Sequence, residues 1–304
     1  MSGAAPQKIG LLAGWGSYPI VVARTLRDQG FQVFCLGIKD HADPVLRSIC
    51  HDWRPIGLAK LGAAIRYFRR HGVVHATMAG KIHKVLIFRK YHWLKHLPDW
   101  RFFWTFYPHW ITKTKDRKDD TLLGTIVQVF ADEGIHFAPA TNFAPELLVE
   151  FGNLTSRRPT AGQWKDIAFG WRLAKELGRL DVGQSVAVKG QAVLAVEAVE
   201  GTDECIRRAG SLCPAGGFTV VKVAKPQQDM RFDVPTIGPG TIQTLIDVGA
   251  GTLAIEAGKT IVLDREEVVR LADRHKLAIV AVDEQRLLQA AGAGLDQRGF
   301  LRGA

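Results

Sequence analysis

The first forty residues predict a β-α-β unit, and this feature limits the fold more than any other. Lys8–Ala13 is an apolar run of strand length, and Tyr18–Gln29 repeats apolar residues at helical spacing. Phe31–Ile38 is a second apolar run, which follows a glycine that would end the helix. Strands joined through a helix pair in parallel, so the opening predicts an α/β fold built on a parallel sheet.

The turn after the first strand is a candidate phosphate contact. Gly14 and Gly16 would let backbone amides and the start of the helix approach a phosphate. As an NAD(P) fingerprint the turn is a weak match, because Pro19 occupies the position of the third glycine and the second strand ends in Lys39 rather than an acid. A nucleotide cleft without nicotinamide is favoured, and an NAD(P)-dependent oxidoreductase stays open as an alternative.

A second candidate follows the next strand. Gly57–Arg70 is predicted as a helix and Val73–Met78 as the third strand, after which Lys81 lies at the edge where open α/β sheets bind ligands. Lys81 is therefore a candidate phosphate contact, or else a solvated surface lysine.

Length and composition indicate a globular protein of two domains. The chain has 304 residues, of which 47% are hydrophobic and 23% charged. Thr141–Thr160 shows no periodicity, so we place the boundary there, between an N-terminal domain of residues 1–150 and a C-terminal domain of residues 151–304. Four cysteines without metal-site spacing, together with the lack of a signal peptide or an apolar span, predict a soluble protein that remains inside the cell.

The excess of positive charge is concentrated in one stretch. The chain carries a formal net charge of +10, and residues 84–118 hold nine Lys or Arg against two Asp, which is +7 of that total, together with ten aromatic residues. Three interpretations compete: a membrane-surface patch, a nucleic-acid face, or a helical hairpin whose aromatic residues are core. Among the functional ones we favour the membrane surface, because the aromatic density exceeds what a groove for phosphates needs.

The candidate chemistry lies in Lys222–Pro235. If the chain is extended from Asp229 onwards, Asp229, Arg231 and Asp233 share one face, with Lys222 and Lys225 nearby. Aspartate oxygens are hard ligands for magnesium, and the cations would offset phosphate charge. The alternative is a solvated ladder of salt bridges on an edge strand.

Further acidic residues have a structural explanation as well. Glu197, Glu200, Thr202 and Asp203 cluster after a predicted hairpin, where they form part of a site or cap the helix that begins near Thr202. Asp119 and Asp120 precede a predicted helix, where capping explains them.

Several segments along the chain form one set of motifs: GLLAGWGSYP (10–19), MAGK (78–81), KDDTLL (118–123), DVGQSV (181–186), EAVEGTD (197–203), KVAKPQQDMRFDVPTIG (222–238) and EAGKT (256–260). Together they resemble one family, the metal-dependent UDP-2,3-diacylglucosamine pyrophosphatases of lipid A synthesis. The resemblance implies a Rossmann-like N-terminal domain, a distinct mixed α/β C-terminal domain and a homodimer. It also implies a protein in the cytoplasm, peripherally bound to the inner membrane, with a UDP-diacylglucosamine lipid rather than nucleic acid as its partner.

The same resemblance implies an activity and a set of site residues. Members cleave the pyrophosphate of UDP-2,3-diacylglucosamine to UMP and 2,3-diacylglucosamine 1-phosphate with Mg²⁺, or Mn²⁺. Asp229 and Asp233 would hold the metal or orient the attacking water, while Arg231 would bind the diphosphate beside them. The residues that would bind substrate are Lys222, Lys225, Gln228, Gly14, Gly16, Lys81, Gln184, Glu200, Thr202 and Asp203. A nucleic-acid-binding protein that uses residues 84–118 stays as a second alternative, but it would give Lys222–Pro235 no role.

Overall fold

The computed structural model describes residues 6–82, 99–102, 104, 119–231 and 234–287. These residues fall into two units. The first contains the described residues up to Pro145 together with Asp229–Arg231, and the second contains the others.

The first unit is built on a parallel sheet. Its strands lie in the order β3-β2-β1-β4-β5, and every neighbouring pair is parallel. Its strands and helices are β1 Lys8–Ala13, α1 Tyr18–Asp28, β2 Gln32–Ile38, α2 Leu46–Ile49, β3 Asp52–Ile56, α3 Leu61–Arg70, β4 His75–Ala79, α4 Asp119–Ala131, β5 His136–Phe137 and α5 Ala140–Phe143. The strands β1 and β2 are buried along almost their whole length, which explains their nearly continuous apolar sequences. This strand order is that of the first five strands of a Rossmann sheet.

The second unit is built on a mixed sheet of six strands. Their order is β6-β13-β11-β9-β7-β8; β13, β11 and β9 are parallel, whereas β6, β7 and β8 run antiparallel to their neighbours. A small parallel pair, β10–β12, lies apart from this sheet. The elements are β6 Gly152–Asn153, α6 Ala161–Arg179, β7 Ser185–Lys189, β8 Ala192–Val196, α7 Thr202–Leu212, β9 Thr219–Lys222, β10 Thr236–Ile237, α8 Pro239–Asp247, β11 Thr252–Glu256, β12 Ile261–Val262, α9 Arg265–Arg274 and β13 Ala278–Val282.

Helices cover both faces of this mixed sheet. On one face, α6 packs Ile167 and Trp171 against alternate strand residues such as Val221. On the other face, α7, α8 and α9 pack against the intervening residues, including Val220 and Leu253. Because side chains alternate along a strand, the central strands β9 and β11 are buried at every position and the unit has three layers.

The predicted α/β class is confirmed, with a parallel sheet first and a mixed sheet second. Two of the expected elements differ. Val73–Met78 was expected to form the third strand but corresponds to the fourth, because Asp52–Ile56 forms a strand that the sequence pattern did not reveal. The helix expected from Gly57 begins at Leu61, after a turn in which Lys60 N–H bonds to the Gly57 carbonyl.

One feature of the fold bears on membrane contact. Within the described ranges, no helix is long and apolar enough to cross a bilayer.

Candidate active site

A buried lysine lies at the carboxyl end of β9, a parallel strand of the mixed sheet. Lys222 is the last residue of β9, paired in register with Ser185 at the start of β7, and it is only 7% exposed. Its Nζ donates to Thr202 Oγ1 at 3.1 Å and to the Thr236 carbonyl at 3.2 Å. Thr202 Oγ1 in turn donates to Glu197 Oε1 at 2.9 Å. The sheet edge therefore holds a cation, a hydroxyl and a carboxylate in one hydrogen-bonded chain.

A close backbone approach builds this edge. A Cβ on Gly183 would lie 2.0 Å from the Glu197 carbonyl oxygen, so only glycine permits the contact. The next residue, Gln184, accepts Val223 N–H through its carbonyl at 3.0 Å. Buried side-chain oxygens without a hydrogen-bond partner among the described residues include Gln184 Oε1 and Glu197 Oε2. An unsatisfied buried oxygen costs about 1–3 kcal/mol, and a ligand with donor groups would remove that cost.

The other acids of the EAVEGTD segment (197–203) have separate partners. Glu200 pairs with Arg208 at 2.8 Å, and Asp203 Oδ1 accepts from Thr241 Oγ1 at 3.3 Å. Asp203 also lies in the first turn of α7, where an acid stabilises the helix. Of this segment, Thr202 and Glu197 are the residues joined to Lys222.

The KPQQ segment leaves β9 through a tight turn. Gln228 Oε1 accepts Lys225 N–H at 2.9 Å, and Gln228 N–H donates to the Lys225 carbonyl at 3.0 Å. The Lys225 ammonium pairs with Asp181 at 2.7 Å. The turn thus fixes the Gln228 side chain against the Lys225 backbone.

Asp229 and Arg231 are brought together by a turn and not by an extended strand. Arg231 N–H bonds to Asp229 Oδ1 at 3.0 Å, and the guanidinium reaches both carboxylate oxygens, with Nε at 2.9 and 3.0 Å and Nη2 at 2.5 Å. The hydrogen bonds from Arg231 hold the pKa of Asp229 below its usual value, and the carboxylate raises the pKa of Arg231. The expectation of period-two alternation from Asp229 is therefore wrong at Met230 and Arg231, which form the turn.

The expected metal ligands are described only in part. Asp233 lies outside the described residues. In the ranges that the structure covers, no group of three or more His, Cys, Asp or Glu residues is arranged to hold a metal. Asp229 has the oxygen chemistry that Mg²⁺ prefers, and Mg²⁺ needs only one or two protein carboxylates when phosphate oxygens and water complete its shell. Arg231 occupies both oxygens of that carboxylate here, so metal binding would require the guanidinium to move.

The ion pair gives a prediction about pH. In Arg231→Gln the pKa of Asp229 should rise towards its ordinary value, because the guanidinium hydrogen bonds are lost. The carboxylate then takes up its proton at a higher pH. We therefore expect the acidic limb of the pH profile of kcat/KM, measured for the expected pyrophosphate hydrolysis, to move to higher pH. A profile whose acidic limb stays at the same pH in the variant would show that Asp229 does not govern it.

The glycine turn and Lys81 meet in the first unit. Gly14 N–H donates to the Ala79 carbonyl at 2.8 Å, and Trp15 and Lys81 exchange two backbone hydrogen bonds at 2.8 and 3.0 Å. A Cβ on Gly14 would lie 2.8 Å from the Lys81 carbonyl oxygen, and Gly16 has φ of +105°. The two predicted phosphate contacts are thus held side by side at the carboxyl ends of β1 and β4.

Residues 84–118 are described only at 99–102 and 104. Trp100 and Trp104 are 73% and 54% exposed, and their rings meet edge to face with centroids 5.6 Å apart. Arg101 pairs with Glu133, and Asp99 accepts Ala63 N–H at 3.1 Å. The other residues of this stretch lie outside the described ranges. The backbone of Asp119 and Asp120 forms the start of α4, and their side chains are outside the description.

Sequence reasoning did not single out a buried ion pair behind the KPQQ segment. Lys175 in α6 lies 2.6 Å from Glu256 at the end of β11. Two features of the sequence could have indicated this pair. One is the EAGKT segment, which begins with Glu256, and the other is Lys175, one turn after Trp171 on the apolar face of α6. Because the partners are 81 residues apart, no local pattern connects them.

The fold and the site together define a two-domain α/β protein with a Rossmann-like sheet and a mixed sheet whose edge carries a cation, a hydroxyl and a carboxylate. Models of two families match in sequence, the LpxI N-terminal domain over residues 8–147 and the LpxI C-terminal domain over residues 150–280. A curated relative, "UDP-2,3-diacylglucosamine pyrophosphatase LpxI" of Caulobacter vibrioides, is 31% identical over 92% of this chain and 99% of its own. The chain belongs to the LpxI family.

Among solved structures, a biotin carboxylase from Campylobacter jejuni is 12% identical over 69% of this chain and 43% of its own, with a TM-score of 0.27. Similarity of this degree says nothing about fold or function.

Proposed function

We propose that this chain hydrolyses the pyrophosphate of UDP-2,3-diacylglucosamine to UMP and 2,3-diacylglucosamine 1-phosphate, a step of lipid A synthesis. The observation that carries the proposal is the match to a relative of that name over nearly the full length of both chains. The site chemistry supports it, because a diphosphate needs cations and Lys222, Lys225 and Arg231 lie within ten residues of one another in the sequence.

The reaction that we propose is attack of water at the α-phosphorus. A bond forms between the water oxygen and the α-phosphorus, and the bond from that phosphorus to the bridging oxygen breaks. The bridging oxygen leaves with the β-phosphate, which becomes the 1-phosphate of the lipid product, and the protons of the water pass to the products and solvent. Asp229 or Asp233 orients the water, while Arg231 and the lysines bind the diphosphate.

We also propose that Mg²⁺, or Mn²⁺, takes part, with Asp229 and Asp233 as its protein ligands. Carboxylate oxygens are suitable donors, and phosphate oxygens of the substrate would complete the shell. When bound, the metal would supply Lewis-acid stabilisation of the charge that develops on the phosphate oxygens. In its presence, Arg231 would exchange the Asp229 carboxylate for the diphosphate, an anion that guanidinium groups also bind through paired hydrogen bonds.

Isotope labelling tests the reaction. Hydrolysis in ¹⁸O-water, followed by mass spectrometry, should place the label in UMP and leave the lipid phosphate unlabelled. Label in the lipid phosphate would move the attack to the β-phosphorus, and the absence of both products would remove the proposed activity.

A lipid substrate requires contact with a membrane, and we propose that the protein binds peripherally to the cytoplasmic face of the inner membrane, as a homodimer. The exposed Trp100 and Trp104 and the basic sequence of residues 84–118 support the membrane contact. We expect more protein to float with anionic than with neutral liposomes, and salt to reduce the difference. Equal, salt-insensitive recovery with both would exclude an electrostatic contact. Light scattering by the purified protein tests the homodimer: we expect the mass of two chains, and the mass of one chain would exclude it.

A further inference from the structure

The Lys175–Glu256 pair is buried in the second unit. Lys175 Nζ lies 2.6 and 2.8 Å from the two carboxylate oxygens, and the side chains are 15% and 6% exposed. A second lysine, Lys259, approaches the outer side of the same carboxylate at 3.0 Å and is half exposed. A buried ion pair loses hydration on both partners and is weak evidence for stability, so its position calls for another explanation.

Both members of the pair hold the backbone of the same residue, Ala224. Ala224 N–H donates to Glu256 Oε2 at 2.7 Å, and Lys175 Nζ donates to the Ala224 carbonyl at 3.0 Å. Ala224 comes two residues after the end of β9, where the sheet no longer provides partners for the backbone. The ion pair supplies a donor and an acceptor in place of a neighbouring strand.

Neighbouring contacts continue this restraint along the chain. Val223 N–H bonds to the Gln184 carbonyl, and the Lys225–Gln228 turn follows. On α6, a Cβ at Gly178 would come within 3.2 Å of Lys225 Cα and of Pro226 Cδ, so the helix surface fits this backbone closely. The chain is held in this way from the end of β9 to the residue before Asp229.

We propose that Lys175 and Glu256 form a positioning pair for the hydrolase. The pair fixes the peptide at Ala224 and thereby sets the path by which the chain reaches Gln228 and Asp229, without touching the substrate. The inference rests on the proposed function for its effect on turnover. Displacement of reacting groups by about 1 Å can cost a hundredfold in rate. We therefore expect loss of the restraint at Ala224, five residues before Asp229, to lower the rate measurably.

Two variants and a matched control test the pair through kinetics. Glu256→Gln keeps the shape and an acceptor for Ala224 N–H but removes the charge, and Lys175→Met removes the donor to the Ala224 carbonyl. We expect kcat to fall by about tenfold or more in each, because the segment that leads to Asp229 loses its restraint at Ala224. Lys259→Met removes the exposed lysine on the same carboxylate and should stay within about twofold of the parent. A kcat within about twofold of the parent in both test variants would overturn the proposal.

A second readout separates positioning from loss of folding. Amide hydrogen exchange should accelerate in peptides that span residues 223–231 of both variants, while β13 keeps the protection of the parent. Lys175→Arg, which retains the charge and a donor, should restore protection and most of kcat. Unchanged exchange in residues 223–231, or acceleration spread evenly over the whole second unit, would contradict a positioning role. If the parent itself releases no UMP, the proposed function fails, and the exchange result alone decides whether the pair holds this segment.

Discussion

Asp229→Asn is expected to reduce the rate of UMP release by a few hundredfold or more. The substitution keeps the size of the side chain but removes the charge that pairs with Arg231 and that would bind metal or orient water. A lost contact of this kind costs about 3–5 kcal/mol of transition-state stabilisation. Steady-state rates on UDP-2,3-diacylglucosamine, measured with the parent and the variant at equal concentrations of folded protein, check the prediction.

A surface aspartate provides the control for this variant. Asp247 is exposed on α8, where it accepts a hydrogen bond from Gln243, and Asp247→Asn should leave the rate within about twofold of the parent. A rate within tenfold of the parent for Asp229→Asn would exclude this carboxylate from the chemical step.

Lys222→Met is expected to have the second largest effect, a loss of about a hundredfold in kcat/KM. The ammonium is buried at the sheet edge beside Thr202, and hydrogen bonds that involve a charged group are worth about 1.5–3 kcal/mol. Methionine keeps the apolar length of the side chain, so the fold should survive. The measurement is kcat/KM together with the midpoint of thermal unfolding.

The matched control for Lys222 is an exposed lysine of the same unit. Lys165 lies on the outer surface of α6, and Lys165→Met should leave kcat/KM unchanged within about twofold. If Lys222→Met retains kcat/KM within threefold of the parent, the lysine is a structural residue and the diphosphate binds elsewhere.

Local patterns in the sequence predict most of the elements but miss those that tertiary contacts decide. The β-α-β opening was predictable because buried parallel strands are apolar throughout. Asp52–Ile56 escaped prediction because it contains a proline and charged residues, which are compatible with the edge position that the strand occupies. β5 contains only His136–Phe137, because the chain enters α5 at Ala140.

The candidate site shows the same division. That Asp229 and Arg231 lie close to each other could be predicted from their spacing. The turn that joins them could not, because it depends on a hydrogen bond from the Arg231 backbone to the Asp229 side chain. The chain from Lys222 through Thr202 to Glu197 depends on three elements that meet at the sheet edge. These elements converge because of the strand order and the connections of the mixed sheet. The composition of each segment does not specify that order.

The most direct test of the account is UMP release from UDP-2,3-diacylglucosamine by the purified parent protein, with MgCl₂ and with EDTA. We predict equal amounts of UMP and 2,3-diacylglucosamine 1-phosphate with the metal, and no release with EDTA. Release that persists in EDTA would contradict the role of the metal while leaving the reaction in place. No release with either magnesium or manganese would contradict the proposed activity itself.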